Sequence, residues 1–167
     1  MFGHSAGGFT ALQAMAQDRR IDAAANLDGS LAYSMSKAVY GDVVEQGLDR
    51  PFLLMGAGTS GRERRPHTHA GAPDWRRLWE RSRGWKRDLY IETAEHMSFA
   101  DHQVLLPQVA QQLGVPPLVV GNALGEADPA RALAAQRAYL ATFFDLHLKG
   151  QRQTLFDQPL PDVTIID

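Results

Sequence analysis

The chain contains no cysteine among its 167 residues. This absence excludes disulfide bonds, thiolate nucleophiles and metal sites built on cysteine ligands. The chain also lacks a run of about 18 apolar residues, the length that a helix needs to cross a membrane. No charged segment followed by an apolar segment comes after Met1, so we expect no secretory signal within these residues and a cytoplasmic protein if Met1 is the true start.

A large excess of charge is absent as well, since the formal net charge is −2 at pH 7. Such a balance gives no indication of binding to nucleic acid or to a membrane surface. The arginines between residues 62 and 87 are interleaved with acidic residues, and we interpret them as a solvated surface. With 44% hydrophobic residues, the chain is expected to fold as one domain that spans residues 1–167.

A short motif at the start of the chain, Gly3-His4-Ser5-Ala6-Gly7, matches the G-x-S-x-G pattern of a nucleophile elbow. In such an elbow a strand turns sharply into a helix and leaves the serine hydroxyl exposed. We expect Gly3 and Gly7 to occupy the two crowded positions of the turn. The apolar spacing of residues 6–17 predicts the helix that should follow, whereas Met1 and Phe2 alone are too few to predict a strand before it.

The rest of the chain alternates between strand-like and helix-like segments. Strands are expected at 21–27, 51–56 and 86–92, and helices at 74–82, 104–113 with an interruption at Pro107, and 129–149. Residues 30–50 are expected to form a connection with one short helix, and residues 155–167 an extended tail on the surface. This alternation predicts an α/β fold with a parallel sheet and flanking helices.

Three polar residues stand where strands end. Ser5 follows the strand position of the elbow, of which only Met1 and Phe2 remain, Asp28 follows the expected strand 21–27, and His96 comes just after the expected strand 86–92. Since ligand chemistry in parallel sheets lies at the carboxyl ends of the strands, these residues should meet at one edge. A serine attacks only when a base removes its proton, and the base needs an acceptor that orients it. The pattern therefore predicts Ser5 as nucleophile, His96 as base and Asp28 as the orienting acid, in the chain order of α/β-hydrolases.

Together with Asn26-Leu27-Asp28-Gly29 and the segment 95–101, the elbow resembles the platelet-activating-factor acetylhydrolase-like branch of the α/β-hydrolases, including actinobacterial lipase-like proteins. The resemblance implies a serine ester hydrolase of the carboxylesterase or lipase type that forms an acyl-enzyme and needs no cofactor or metal. It also implies that the N–H of Ala6 donates to the oxyanion. It covers nearly the whole chain, but the strands that precede the elbow in this family are missing.

The missing strands have two expected consequences. The loop that supplies the second oxyanion N–H is missing with them, and the loss of one such donor typically lowers the rate about 10²- to 10³-fold. The first strand would also be left as an open sheet edge, which invites pairing with another chain. We therefore expect either self-association or a longer protein of which this chain is the carboxyl-terminal half.

Several alternatives stay open at this point. Glu63 is the leading substitute for Asp28 as the acid, and His67 and His69 are interpreted as solvated loop residues. Phe9, Leu12, Phe143 and Phe144 are expected in the core, and Tyr33, Met35, Met97 and Phe99 are candidates for an acyl pocket. The substrate is expected to be a small-molecule or lipid ester. The alternative function is an impaired fragment or pseudoenzyme that works only within an assembly.

Overall fold

The computed structural model describes residues 1–60 and 64–166. The strands are β1 Phe2–His4, β2 Ala24–Leu27, β3 Ala32–Ser34, β4 Val39–Tyr40, β5 Phe52–Ala57, β6 Lys86–Ile91 and β7 Val163–Ile166. The helices are α1 Ala6–Gln17, α2 Asp42–Gln46, α3 Pro73–Arg81, α4 His102–Leu113, α5 Pro117–Leu124 and α6 Pro129–Lys149, with a 3₁₀ turn at His96–Phe99.

The main sheet has the order β1-β2-β5-β6-β7. In this sheet β1, β2, β5 and β6 are parallel, and β7 runs antiparallel to β6. All six residues of β5, at the centre of the sheet, are buried, as expected for a parallel strand that is covered on both faces. The predicted α/β class, with a mainly parallel sheet and flanking helices, is confirmed.

Helices cover both faces of this sheet and form two apolar cores. On one face, Leu53, Leu89 and Ile91 pack with Tyr139 and Phe143 of α6. The core on the other face contains Phe52 and Leu54 of β5. Leu12 and Met15 of α1 belong to it, and so do Trp75 and Leu78 of α3. Of the four expected core residues, Leu12 and Phe143 are fully buried, and Phe9 and Phe144 are partly buried against the cores. The layered packing fixes the carboxyl ends of the strands relative to one another.

The start of the chain departs from the expectation, because residues 2–4 do form a strand. Phe2, Gly3 and His4 pair in parallel with Ala25, Asn26 and Leu27 of β2. The carbonyl of Met1 extends the ladder by accepting from the N–H of Ala25 at 2.9 Å. A few residues suffice because β2 is already fixed within the sheet and supplies the register. Within residues 1–60 and 64–166, no strand pairs with the other edge of β1.

The end of the chain also differs from the expected surface tail. Residues 163–166 form β7 on the free edge of β6, with Val163 paired to Ile91 and Ile165 paired to Leu89. Val163 is buried. The β-branched run Val-Thr-Ile-Ile is typical of a strand. Pro159 and Pro161, which favoured an irregular tail, lie before this run.

Smaller differences concern the boundaries and the connections. β2 begins at Ala24 rather than at Ile21, and residues 30–50 contain the hairpin β3–β4 besides the expected short helix α2. α4 begins at His102 and continues through Pro107, and α5 was not expected. In the part of the chain that the structure describes, none of the helices is long and apolar enough to span a membrane.

Candidate active site

Ser5 lies at the junction between β1 and α1, in a backbone conformation that serine rarely adopts. Its φ is 55° and its ψ is −123°. The N–H of Ser5 donates to the carbonyl of Leu27 at 2.9 Å, and the Ser5 carbonyl accepts from the N–H groups of Gly8 and Phe9 in the first turn of α1. These hydrogen bonds hold the strained turn, and the arrangement is that of a nucleophile elbow.

The glycines around Ser5 are needed for close backbone approach, although not all where the motif placed them. A Cβ on Gly3 would lie 2.4 Å from the backbone carbon of Gly7. A Cβ on Gly8 would lie 1.9 Å from Oδ1 of Asn26, whereas one on Gly7 would meet nothing within 4 Å among the described residues. The second crowded position is thus Gly8 rather than Gly7, because α1 packs there against the end of β2.

The fold brings His96 and Asp28 to Ser5. Nδ1 of His96 donates to Oδ2 of Asp28 at 2.6 Å, since a carboxylate can only accept. Nε2 of His96 lies 3.0 Å from Oγ of Ser5 and is therefore free to accept the serine proton. Asp28 follows β2, and His96 begins the 3₁₀ turn that follows β6. All three residues lie at the carboxyl edge of the sheet, as their positions in the sequence indicated.

The carboxylate of Asp28 is buried, with 2% of its side chain exposed, yet it remains ionised. Burial acts to raise its pKa, but hydrogen bonds from His67, His96 and the N–H of Ala57 outweigh burial and lower the pKa to about 2. The shift from 3.8 corresponds to about 2 kcal/mol of folding free energy. This contribution is present above pH 4 or so and is lost as the pH falls toward about 2.

The hydrogen bond between His96 and Asp28 shifts the pKa of His96 in the opposite direction. Asp28 raises the pKa of His96 above its ordinary value of 6.5, and partial burial offsets part of this effect. The ring of His4 packs against the ring of His96 with a centroid distance of 4.5 Å. Burial first, and the neighbouring His96 second, lower the pKa of His4, so His4 stays neutral where His96 titrates.

Two histidines of the loop before α3 are held by buried carboxylates rather than solvated, which corrects the sequence interpretation. Nδ1 of His67 lies 2.8 Å from Oδ1 of Asp28, and Nδ1 of His69 lies 2.7 Å from Oδ2 of Asp88. Their side chains are 14% and 12% exposed. The sequence carries a signal for this arrangement, because Trp75 and Trp79, one helical turn apart in α3, stack on the two rings.

The remaining expectations from the sequence concern the alternative acid, metal ligands and the oxyanion donor. Glu63, the alternative acid, lies outside the described residues. Within the described part of the chain, no group of three or more histidine, aspartate or glutamate residues could hold a metal ion. Ala6 is the first residue of α1, so its N–H belongs to those at a helix N-terminus that have no acceptor within the helix.

A groove of about 340 Å³ begins at Ala6 and extends along the outer side of α1. Its lining residues are Ala6, Phe9, Thr10, Gln13, Ala14, Gln17, Ala32 and Tyr33. The rings of Phe9 and Tyr33 lie 5.1 Å apart. Of the four residues suggested for an acyl pocket, Tyr33 lines this groove, whereas Met35, Met97 and Phe99 do not.

Comparisons with known proteins agree with this architecture. No family model matches the chain. A probable 1-alkyl-2-acetylglycerophosphocholine esterase of Arthroderma benhamiae is 28% identical over 180 aligned positions, which cover 100% of this chain and 43% of the esterase. The structure of a ferulic acid esterase from Streptomyces cinnamoneus superposes with a TM-score of 0.77 at 36% identity, covering 99% of this chain and 46% of that one. The chain thus spans less than half the length of either relative.

The sheet, the elbow and these comparisons identify an α/β-hydrolase fold, and both relatives are esterases. The sequence relative is an esterase of the platelet-activating-factor acetylhydrolase-like kind, which confirms the resemblance carried by the three motifs.

Proposed function

We propose that the chain is the catalytic portion of a serine carboxylic ester hydrolase, with Ser5, His96 and Asp28 as its catalytic triad. The observation that carries this proposal is the continuous hydrogen-bond path from Asp28 through His96 to Oγ of Ser5. The esterase names of both relatives support the same class of reaction. Nothing in the site or the comparisons favours the alternative of a pseudoenzyme.

The reaction follows from the positions of these groups. Oγ of Ser5 attacks the ester carbonyl while its proton passes to Nε2 of His96, and Asp28 stabilises the resulting imidazolium. The N–H of Ala6 donates to the oxyanion that forms on the former carbonyl oxygen. Collapse of this intermediate breaks the ester bond, and the leaving alkoxide takes the proton from His96. Water then repeats the sequence on the acyl-serine and releases the carboxylic acid.

The first experiment is to look for the acyl-enzyme directly. The chain is mixed with p-nitrophenyl acetate under stopped flow and, separately, with a fluorophosphonate probe followed by peptide mass spectrometry. We expect a burst of nitrophenol and a probe adduct on the peptide that contains Ser5, because only this serine has a histidine base at 3.0 Å among the described residues. The heat-unfolded chain is the control. An adduct on another serine, or none at all, would contradict the proposal.

We further propose that the free edge of β1 pairs with another strand, either of a second copy or of a longer chain. Met1 and Phe2 are 47% and 55% exposed at this edge. An edge strand with unpaired N–H and C=O groups promotes association unless it is covered.

We expect the isolated chain to elute above its monomer mass of 18.4 kDa in light-scattering chromatography. Phe2→Lys should lower the associated fraction, since a lysine on an edge strand opposes pairing. Leu118→Lys, at a position 74% exposed on α5, is the matched control and should leave the fraction unchanged. A stable monomer of the native chain across the concentration range would refute pairing between two copies of the chain and leave pairing within a longer chain as the explanation.

A further inference from the structure

Asp28 receives hydrogen bonds from two imidazole rings. His96 donates to Oδ2 at 2.6 Å, and His67 donates to Oδ1 at 2.8 Å. The N–H of Ala57 also donates to Oδ1 at 2.8 Å. The proposed triad uses only the bond with His96, so the second histidine has no role in it.

The position of His67 is fixed from several sides. The backbone N–H of His67 donates to the carbonyl of Ala57 at 2.9 Å. The ring of His67 stacks on Trp75 with centroids 4.0 Å apart and planes at 26°. The loop approaches β5 so closely that a Cβ on Gly56 would lie 1.8 Å from the carbonyl oxygen of His67. A glycine is therefore required at position 56 for His67 to reach Asp28.

We propose that His67 is a positioning residue for the triad: it holds the carboxylate of Asp28 so that Oδ2 faces His96, and it limits the charge that Asp28 directs at His96. This inference rests on the proposed function for its kinetic consequences. Without His67, Oδ1 would keep only the Ala57 N–H, so the carboxylate would be held less firmly in the orientation that the transfer from Ser5 needs, while Oδ2 stays bonded to His96.

The electrostatic consequence has a definite sign. A donor on Oδ1 withdraws charge from the carboxylate, so its removal strengthens the bond from Oδ2 to the His96 imidazolium and raises the pKa of His96. The other groups that face His96 are His4 and Ser5, and Glu95, its neighbour in the chain, is paired with Arg64 at 3.1 Å. Changes at position 67 leave all four of these groups in place.

The chain contains a matched control for the structural part of this arrangement. His69 lies in the same loop, bonds a buried carboxylate at 2.7 Å and stacks on Trp79 with centroids 4.1 Å apart. Its partner Asp88 belongs to β6, and none of the hydrogen bonds and ion pairs of the described residues joins Asp88 to Ser5, Asp28 or His96. A substitution of His69 thus disturbs the loop in a similar way without touching Asp28.

The test compares His67→Phe, His67→Asn and His69→Phe with the native chain. Phenylalanine keeps the ring on Trp75 but removes the donor, whereas Nδ2 of asparagine can occupy the position of Nδ1 and donate in its place. The pKa of His96 is measured by NMR titration of its ring nitrogens, and kcat/KM is measured against pH. In the native chain, the acid limb should lie above pH 6.5, because Asp28 raises the pKa of His96.

We expect His67→Phe to raise the pKa of His96 by about 0.5 pH units or more, to move the acid limb by the same amount and to lower kcat/KM about tenfold. His67→Asn should bring the His96 pKa, the acid limb and kcat/KM most of the way back to their native values, and His69→Phe should leave the pKa of His96 unchanged even if it lowers the melting temperature. If His67→Phe does not fold, His67→Met takes its place as a variant of similar size without a donor.

Native values of the His96 pKa and of kcat/KM in the donor-free variant would overturn the inference, and so would an equal change in His69→Phe. The NMR titration does not depend on activity. A chain that fails to form the acyl-enzyme would thus refute the proposed function, while the titration would still decide the role of His67.

Discussion

Ser5→Ala is expected to lower kcat for ester hydrolysis by about 10⁶, or to the uncatalysed rate where that is reached first. In the proposed reaction Oγ of Ser5 forms the acyl intermediate, so no other group of the site can substitute for it. The side chain of Ser5 makes its hydrogen bond to His96 alone among the described residues, whereas the turn is held by the backbone. The variant should therefore fold with an unchanged melting temperature.

The measurement is steady-state hydrolysis of a chromogenic acetate ester by the purified variant, alongside Ser36→Ala. Ser36 is exposed on the connection between β3 and β4, and among residues 1–60 and 64–166 its hydroxyl forms a hydrogen bond only with that of Ser34. This control should retain native activity. A Ser5→Ala variant that keeps a tenth or more of the native kcat would show that the hydrolysis arises elsewhere on the chain or from a contaminating enzyme.

That Ser5, Asp28 and His96 lie together could be predicted from the sequence because their signals are local. The elbow needs glycine at fixed positions beside the serine, and an Asp-Gly pair and a histidine stand directly after apolar segments. Parallel strands then bring these three positions to one edge whatever the lengths of the intervening helices. The helix α1 was predicted with its observed ends for the same reason, since its apolar spacing begins at the elbow.

The two tryptophans of α3 are a sequence signal for covered histidine rings, but the contact of His67 with Asp28 could not be predicted from local pattern. His67 and Asp28 are 39 positions apart, and their contact depends on the absence of a side chain at Gly56 and on the stacking surface of Trp75. A histidine among arginines and glycines reads as solvated when its tertiary partners are not known. The strands at both ends of the chain were missed for a related reason, because β1 and β7 take their conformation from β2 and β6.

Asp28→Asn is expected to lower kcat about 10⁴-fold, the loss seen when the orienting acid of a serine protease triad becomes an amide. The hydrogen bonds around Asp28 explain why the loss should be so large here. The N–H of Ala57 and the ring of His67 both donate at the Oδ1 position, so the single amide oxygen of asparagine should lie there. The NH₂ group would then face Nδ1 of His96. His96 would have to accept at Nδ1 and carry its proton on Nε2, where it can no longer take the proton of Ser5.

Glu63→Gln provides the direct comparison, because Glu63 is the other acid that the sequence allows for this role. We expect it to change kcat less than about threefold if Asp28 is the acid, because the substitution then removes no group that acts in the proposed reaction. Asp74→Asn tests for unspecific effects of removing a buried carboxylate, since Asp74 accepts from the N–H of Leu31 at 2.6 Å outside the triad. It should lower the melting temperature and leave the shape of the pH profile unchanged. A loss of activity in Glu63→Gln that equals or exceeds that in Asp28→Asn would transfer the acid role to Glu63.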